Sequence, residues 1–347
     1  MDRVLRVVVV DDSAYVRKVV REILSRSPFV EVVGTARDGR EALDLVEQLE
    51  PDVVTCDLIM PELDGVGFVR EQMQRRPVPI IIMSVAKETA EAALTALDLG
   101  AIDFVQKPTA LASEKIFEVS TELIEKVKAA GHIALSQIPT SLPEPAAVVS
   151  RPVISGTHAV DLVVIGISTG GPQALKRLIP QLPKDFPAPV VMVMHMPVGY
   201  TEMYAAKLNE QSQLEVREAA EGDELKPGLV LLAQAGRHLT LRRDISGKVV
   251  THLDARPFES LHRPSVDVLF KSAAEVYGKR VLGVVMTGMG SDGKQGAAWI
   301  KSQGGLIFTE AESSCVVYGM PSVVVEAGLS DKSIALDGMA RAILEVV

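Results

Sequence analysis

The sequence predicts two α/β domains, each built on a doubly wound, mostly parallel β-sheet, and three observations support this. The chain has 347 residues, and a usual domain size of about 100–200 residues favours two domains over one. Short apolar runs alternate with amphipathic stretches in both halves, as strands and helices do in such sheets. Residues 129–159 interrupt the alternation. Aromatic residues make up only 4% of the chain, so the cores must be aliphatic.

The N-terminal domain, residues 1–128, contains five strand–helix units. Residues 7–10 are all valine, which is typical of a buried parallel strand, and residues 13–25 carry apolar side chains at helical spacing. The predicted strands are 7–10, 30–34, 52–57, 79–83 and 102–105, and the predicted helices are 13–25, 39–50, 65–75, 88–99 and 113–128. The alternation predicts a five-stranded parallel sheet.

A linker and a larger α/β domain follow. Residues 129–159 contain four prolines among Ser, Thr and Gly, which predicts an extended linker. Residues 160–347 form the second domain, again mostly parallel. Its predicted strands are 162–167, 190–194, 229–232, 281–286 and 305–308, and its predicted helices are 172–180, 201–210, 264–277 and 292–303.

Charge and cysteine content exclude several classes of protein. The formal net charge is −9, which makes the chain a poor candidate for binding nucleic acid. Cys56 and Cys315 are too few for a disulfide framework or a zinc cluster, and they favour a reducing compartment. The first residues do not resemble a signal peptide, and no apolar run approaches the roughly 20 residues of a membrane helix. These features predict a cytoplasmic protein without membrane insertion.

Acidic and polar residues follow the predicted strands of the N-terminal domain. Asp11 and Asp12 follow the first strand, Asp57 ends the third, Ser84 follows the fourth and Lys107 the fifth. The carboxyl ends of parallel strands share one edge of the sheet, so these side chains should meet there. Crowded carboxylates repel one another, and a hard cation such as Mg²⁺ relieves the repulsion. Mg²⁺ and a lysine could also neutralise a phosphoryl group on a carboxylate.

Residues 4–125 resemble the receiver domain of response regulators, because the acids, Ser84 and the Lys-Pro pair stand at successive strand ends. The resemblance implies that Asp57 accepts a phosphoryl group from a histidine kinase. It also implies that Asp12 and Asp57 bind Mg²⁺ with the backbone carbonyl of Ile59, and that Asp11 supports the ion through water.

The same resemblance assigns three switch residues. Lys107 would bind the phosphoryl group, Ser84 would move to hydrogen-bond it, and Phe104 stands in the position of the aromatic ring that rotates in this family. The turn at residues 60–65 also matches the stretch that follows the acceptor in receiver domains.

A glycine-flanked serine opens the second domain. Ser168 lies in residues 166–172, between an apolar strand and a helix, where glycines permit a tight turn and the helix N-terminus faces developing negative charge. The Gly-x-Ser-x-Gly pattern alone equally fits a phosphate-binding turn or simple packing.

His195 and Asp292 strengthen the interpretation of Ser168 as a nucleophile. His195 ends the apolar strand 190–194, and Asp292 follows the strand 281–286 at a predicted helix start. Taken singly, they would be a core histidine and a helix cap. At three strand ends of one parallel sheet, they can converge with Ser168. The order Ser–His–Asp differs from that of α/β-hydrolases.

Nearly the whole chain resembles the chemotaxis protein-glutamate methylesterase (CheB) family. The stretches that carry the resemblance are 166–172, 195–197, 216–219, 262–267, 287–293 and 316–321. The resemblance implies a catalytic triad of Ser168, His195 and Asp292, with Thr169 and Met289 at active-site positions where backbone N–H groups form an oxyanion hole.

The family resemblance also implies an activity, and the two-domain architecture leads to a hypothesis about its control. The expected reaction is hydrolysis of glutamyl methyl esters on the cytoplasmic helices of chemoreceptors, with deamidation of receptor glutamines and no cofactor in the catalytic domain. Before phosphorylation of Asp57, the receiver would cover the carboxyl edge of the catalytic sheet.

Three other functions remain open. A phosphorylation-dependent binding regulator without catalysis would keep the interface but release no methanol. A nucleotide-binding enzyme would need glycine where Ser168 stands and would be tested by titration with NAD. A DNA-binding regulator is disfavoured by the negative charge and by the absence of a basic output helix.

Overall fold

A computed structural model of the chain describes residues 3–85, 89–107, 115–133, 160–257 and 260–347. The chain divides into two compact units, Met1–Leu142 and Pro143–Val347. Residues 134–159, which are most of the predicted linker, lie outside the described residues. The first residues of the helices predicted at 88–99 and 113–128 lie outside them as well.

The first unit is a five-stranded parallel sheet with the order β2-β1-β3-β4-β5, as the sequence predicted. Its elements are β1 (Leu5–Val10), α1 (Ala14–Leu24), β2 (Val30–Ala36), α2 (Gly39–Leu49), β3 (Val53–Asp57), α3 (Gly65–Arg75), β4 (Ile80–Ser84), α4 (Ala90–Asp98), β5 (Asp103–Gln106) and α5 (Lys115–Ala130). The strand order reverses between β1 and β3, so a crevice opens where those two strands end.

Polar caps start three of these helices where the sequence places them. The side chain of Ser13 accepts a hydrogen bond from Val16 N at 3.4 Å. Asp38 and Asp64 cap α2 and α3 in the same way, with distances of 2.8 and 2.7 Å to the N–H group three residues on. Each cap satisfies a backbone donor that the first helical turn leaves unpaired.

The second unit is a seven-stranded parallel sheet with the order β14-β13-β12-β6-β7-β9-β8, beside a two-stranded antiparallel hairpin, β10–β11. Its elements are β6 (Leu162–Ile167), α6 (Gly171–Leu178), β7 (Val190–Met194), α7 (Thr201–Gln211), β8 (Glu215–Glu218), β9 (Leu229–Leu232), β10 (His238–Arg243), β11 (Val249–Asp254), α8 (Val266–Tyr277), β12 (Val281–Val285), α9 (Lys294–Ser302), β13 (Leu306–Glu310), α10 (Met320–Glu326), β14 (Lys332–Ile334) and α11 (Leu336–Leu344). The predicted doubly wound fold class is confirmed for both units.

The sequence did not predict β8, the hairpin, β14, α10 or α11. The strand β8 has one buried side chain, Val216, between polar neighbours, and β14 is a short, largely exposed strand at the other edge of the sheet. Two helices also begin later than predicted, at Val266 instead of 264 and at Lys294 instead of 292. These late starts leave Ser265 and Asp292 in the preceding loops, where they contribute to the site described below.

The core of the second unit lies between the sheet, α8 and the hairpin. Apolar side chains of β6, β7 and β12 pack with α8, α9 and β10, and the aliphatic composition follows the sequence expectation. Within the described ranges, no helix combines the length and apolar character needed to cross a bilayer.

Gly65→Ala should destabilise the first unit. A Cβ at Gly65 would lie 2.1 Å from the carbonyl oxygen of Asp57 and 2.8 Å from Leu58 Cα, so the backbone itself would have to move. We expect a loss of about 2 kcal/mol in the free energy of unfolding, measured by urea denaturation of the full chain. Gly67→Ala is the matched control, because its Cβ would meet side chains and no backbone: Leu63 Cδ1 at 2.6 Å, which can move, and Asp64 Oδ1 at 3.1 Å. Equal losses in the two variants would contradict the prediction.

Candidate functional site

Three carboxylates and one ammonium group meet at the carboxyl edge of the first sheet. Asp11, Asp12 and Asp57 each offer an oxygen, and these oxygens lie within 4.8 Å of one another. Lys107 Nζ lies 2.8 Å from Asp11 Oδ2 and 2.6 Å from Asp57 Oδ2. Asp11 and Asp57 are buried and Asp12 is exposed, so the pocket opens to solvent on one side.

The charges of this pocket do not balance. Burial raises the pKa of Asp57, and the charge of Asp11 adds to that effect while Lys107 opposes it. Burial alone would lower the pKa of Lys107, but its bonds to Asp11 and Asp57 raise the pKa above its ordinary value. One ammonium group faces three carboxylates, so oxygen donors and excess negative charge fit a hard divalent cation such as Mg²⁺.

The other residues assigned from the receiver resemblance lie at the end of β4, in β5 and just after β3. Ser84, at the end of β4, is buried and shares a 2.5 Å hydrogen bond with the hydroxyl of Thr89. Phe104 is buried in β5. Lys126 donates to the Phe104 carbonyl at 2.8 Å, and its ammonium group lies 5.9 Å from the ring centroid. Ile59 directly follows the acceptor strand, and its side chain is exposed.

The second candidate site lies where three neighbouring strands end. In the seven-stranded sheet, β6 lies between β12 and β7. Ser168 follows β6, His195 follows β7 and Asp292 lies in the loop after β12. The strand order reverses around β6, which is where α/β sheets form ligand crevices. The structure therefore places all three predicted residues at one sheet edge.

Three glycines shape the turn that presents Ser168. Gly170 has a φ of +80°, and a Cβ there would lie 2.6 Å from Val316 Cβ. A Cβ on Gly166 would lie 2.3 Å from a methyl group of Val266. A Cβ on Gly288 would lie 2.7 Å from Ser168 Cβ, so the loop that leads to Asp292 passes directly beside the serine.

Asp292 accepts four hydrogen bonds. His195 Nε2 donates to Oδ2 at 2.9 Å, and the N–H of Val266 donates to the same oxygen at 2.7 Å. Ser265 Oγ and the N–H of Asp267 donate to Oδ1 at 2.8 and 2.9 Å. Asp292 was expected at the start of its own helix, but its carboxylate instead lies at the N-terminus of α8, where backbone donors stabilise negative charge.

These donors keep Asp292 ionised. Burial alone would raise the pKa of Asp292, but its bond to His195 and the backbone donors hold the pKa well below its ordinary value. Asp292 lies just before α9 and binds the start of α8, and Asp267 in α8 binds the start of α9 in return. Its Oδ1 accepts hydrogen bonds from Gly293 N at 2.9 Å and from Gly296 N at 2.6 Å. Burial raises the pKa of Asp267 to about 6.

The two ring nitrogens of His195 have different environments. Nε2 contacts Asp292, whereas Nδ1 is buried and has no hydrogen-bond partner. Within the described residues, Ser168 Oγ forms no hydrogen bond with His195, although His195 N donates to the Ile167 carbonyl at 3.2 Å. Because the ionised Asp292 accepts a proton from Nε2, the neutral ring carries its lone pair on Nδ1.

Hydrogen bonds join the turn at Ser168 to the loop that contains Thr287 and Met289. Thr287 Oγ1 donates to the Thr169 carbonyl at 2.9 Å, and Ser168 N donates to the Thr287 carbonyl at 3.0 Å. The fully buried Glu310 accepts from Thr287 N at 2.9 Å. In the described part of the chain, the N–H of Met289 has no acceptor, so it can donate to a ligand.

The sequence predicts no role for Ser265, Asp267 or Glu310. It indicates that His262 is a surface or structural residue that, with Arg263, could touch an acidic substrate. The stretch 262–267 was recognised only as part of a family resemblance. A histidine, a serine and an aspartate within six residues are typical of a functional site, but their spacing does not indicate that they contact His195 and Asp292.

Known proteins resemble this chain over both units. Residues 163–343 match the family described as CheB methylesterase, and residues 7–118 match the response regulator receiver domain. A protein-glutamate methylesterase/protein-glutamine glutaminase of Myxococcus xanthus is 51% identical and covers 96% of each chain. One from Symbiobacterium thermophilum is 44% identical and covers 100% of this chain and 98% of its own. The crystal structure of the Thermotoga maritima CheB methylesterase catalytic domain matches with a TM-score of 0.53 at 43% identity, covering 54% of this chain and 99% of its own.

Asp267→Asn should make stability less sensitive to pH. The folded-state pKa of Asp267, about 6, exceeds the value of about 3.9 in an unfolded chain. Its stabilising contribution is therefore complete below about pH 4 and is lost as the pH rises through about 6. Asparagine keeps the acceptor oxygen and removes the charge.

We expect the unfolding free energy of Asp267→Asn, relative to the parent chain, to rise by about 1–2 kcal/mol between pH 4 and 7 after allowance for solvent screening. Urea denaturation at several pH values measures this, with Asp185→Asn at an exposed position as control. A difference that does not change with pH would contradict the prediction.

Proposed function

Since this chain belongs to the CheB methylesterase family, we propose that it hydrolyses methyl esters of glutamate side chains in chemoreceptors under the control of its receiver domain. The observation that carries the proposal is the hydrogen bond between His195 and Asp292 at the sheet edge where Ser168 is presented. We assign the receiver to residues 1–128, the linker to 129–159 and the catalytic domain to 160–347. The two family matches, at 7–118 and 163–343, support these boundaries.

In the first chemical step, Ser168 Oγ attacks the ester carbonyl carbon while His195 Nδ1 takes the hydroxyl proton. The C–O bond to the methoxy group then breaks, and the imidazolium returns its proton to the leaving oxygen, so methanol departs and an acyl-serine remains. Asp292 holds the Nε2 proton and stabilises the charged ring throughout. The Ser168–His195 hydrogen bond would form once substrate is bound, because catalytic contacts often tighten in the complex.

In the second step, water replaces the serine. His195 takes a proton from the water as its oxygen attacks the acyl carbon, and the proton then passes to Ser168 Oγ as the ester bond breaks. The product is a free glutamate. With a receptor glutamine, the first step would release ammonia in place of methanol, and the same acyl-serine would give glutamate.

The negative charge on the carbonyl oxygen needs hydrogen-bond donors. The N–H of Met289 is a candidate because it has no acceptor within the described residues. The N–H of Thr169, beside Ser168 and near the N-terminus of α6, is the second candidate. Such donors in a partly enclosed site stabilise an oxyanion more than they stabilise a carbonyl group.

Regulation would begin at Asp57, which we propose accepts a phosphoryl group from a histidine kinase. Asp12, Asp57 and the Ile59 carbonyl would hold Mg²⁺, with Asp11 supporting it through water, and the bound ion would neutralise the charge of the phosphoryl oxygens. Lys107, 2.6 Å from Asp57, would exchange its carboxylate contact for a phosphoryl oxygen.

The switch would act through Ser84 and Phe104. Ser84 would leave the hydroxyl of Thr89 to bind the phosphoryl group, and Phe104 would change position with it. We propose that this change releases a block on the catalytic domain and admits the receptor helices, which places the site of action in the cytoplasm.

Ser168→Ala should abolish methanol release from methylated receptors and leave phosphorylation of Asp57 intact, because the substitution removes only the nucleophile. The loss should be at least about 10³-fold, comparable to losses in other triads. Ser291→Ala, at a nearby exposed serine, is the control and should retain activity. If Ser168→Ala still released methanol, Ser168 would not be the nucleophile. If the parent chain released none, the chain would instead act as a phosphorylation-dependent binding regulator.

Deletion of residues 1–150 should raise basal esterase activity, because the deletion removes the proposed block. In the full chain, a small phosphodonor with Mg²⁺ should produce a comparable rise, and Asp57→Asn should prevent it. Methanol release measures all three. A fragment no faster than the unphosphorylated chain would contradict the blocking mechanism without affecting the assignment of Ser168.

A further inference from the structure

The imidazole of His262 covers one face of the His195 ring. The two ring centroids lie 4.0 Å apart, and the planes are inclined by only 18°. His262 is exposed, whereas the side chain of His195 is only 10% exposed. The His262 ring therefore lies between this face of His195 and solvent.

The segment that carries His262 also holds Asp292. Three residues after His262, the Ser265 hydroxyl binds Asp292 Oδ1, and the N–H groups of Val266 and Asp267 follow. Residues 262–267 thus contact both members of the His195–Asp292 pair, one through a ring face and the other through hydrogen bonds.

We propose that His262 is a positioning residue for the esterase reaction, an inference that rests on the proposed function. The hydrogen bond at Nε2 does not by itself prevent the His195 ring from turning about that bond. A flat side chain 4.0 Å above the ring removes this freedom and keeps Nδ1 directed to one place, where it can take the Ser168 proton. Small losses of alignment at a reacting group lower the rate sharply.

The charge of the covering ring also matters. His195 becomes a cation when it takes the Ser168 proton. The face of a neutral aromatic ring tolerates a cation, whereas a second positive charge at about 4 Å opposes it. The position should therefore favour a flat side chain that carries no positive charge.

Three substitutions in the full chain separate these contributions. His262→Ala removes the plane, His262→Phe keeps a neutral plane, and His262→Arg keeps a planar group but adds a permanent charge. We expect kcat for methanol release to fall about 10- to 100-fold in His262→Ala with KM unchanged. His262→Phe should stay within about threefold of the parent chain, and His262→Arg should be at least as slow as His262→Ala.

The matched control is Leu261→Ala, which changes the neighbouring side chain, 96% exposed on the same loop, and should leave kcat unaltered. Thermal unfolding of every variant identifies any that fail to fold. The proposal is overturned if His262→Ala keeps its kcat, if His262→Phe is as slow as His262→Ala, or if only KM changes.

A second readout keeps the proposal separate from the proposed function. The rate at which diisopropyl fluorophosphate labels Ser168 depends on activation by His195 and needs no receptor. The variants should rank in the same order by this rate. If the parent chain releases no methanol, the proposed function fails, and the ranking by labelling rate still supports or overturns the role of His262.

Discussion

The hydrogen bonds that converge on the Asp292 carboxylate organise the candidate site at the carboxyl edge of the seven-stranded sheet. A buried carboxylate would ordinarily take up a proton, but two backbone N–H groups at the start of α8, the Ser265 hydroxyl and His195 keep it charged. The same contacts join residues from distant parts of the chain at the sheet edge where Ser168 lies. The His195 ring and the 262–267 segment are both held by this one anion.

Both units place carboxylates at the carboxyl edge of a parallel sheet, but the surroundings shift the pKa values of these carboxylates in opposite directions. In the first, three carboxylates share one ammonium group, and burial raises the pKa of Asp57. In the second, one carboxylate is surrounded by donors, and its pKa is lowered. The first arrangement suits a site that gains a cation and a phosphoryl group, and the second suits a permanent anion beside a histidine that gains a proton.

The sequence was sufficient to predict both sheets and the strand ends where the site residues lie, because parallel strands are continuous apolar runs that end in polar residues. It was insufficient for β8 and β14, whose edge positions leave few buried side chains. It also missed the contact between His262 and His195, since ring stacking across 67 positions has no periodic signature. Asp292 was predicted as a site residue, but its hydrogen bonds to the start of α8 were not. Those bonds depend on the residues at which α8 and α9 begin, and the local sequence does not define helix ends precisely.

The reciprocal contacts of Asp292 and Asp267 make the acid of the proposed triad a structural tie between α8 and α9. An inactive form intended to capture receptor helices would therefore be poorly made at Asp292, because the loosened helices would deform the surface that the receptor must touch. Within the described residues, the Ser168 hydroxyl forms no such tie, so Ser168 is the better position for a substrate trap.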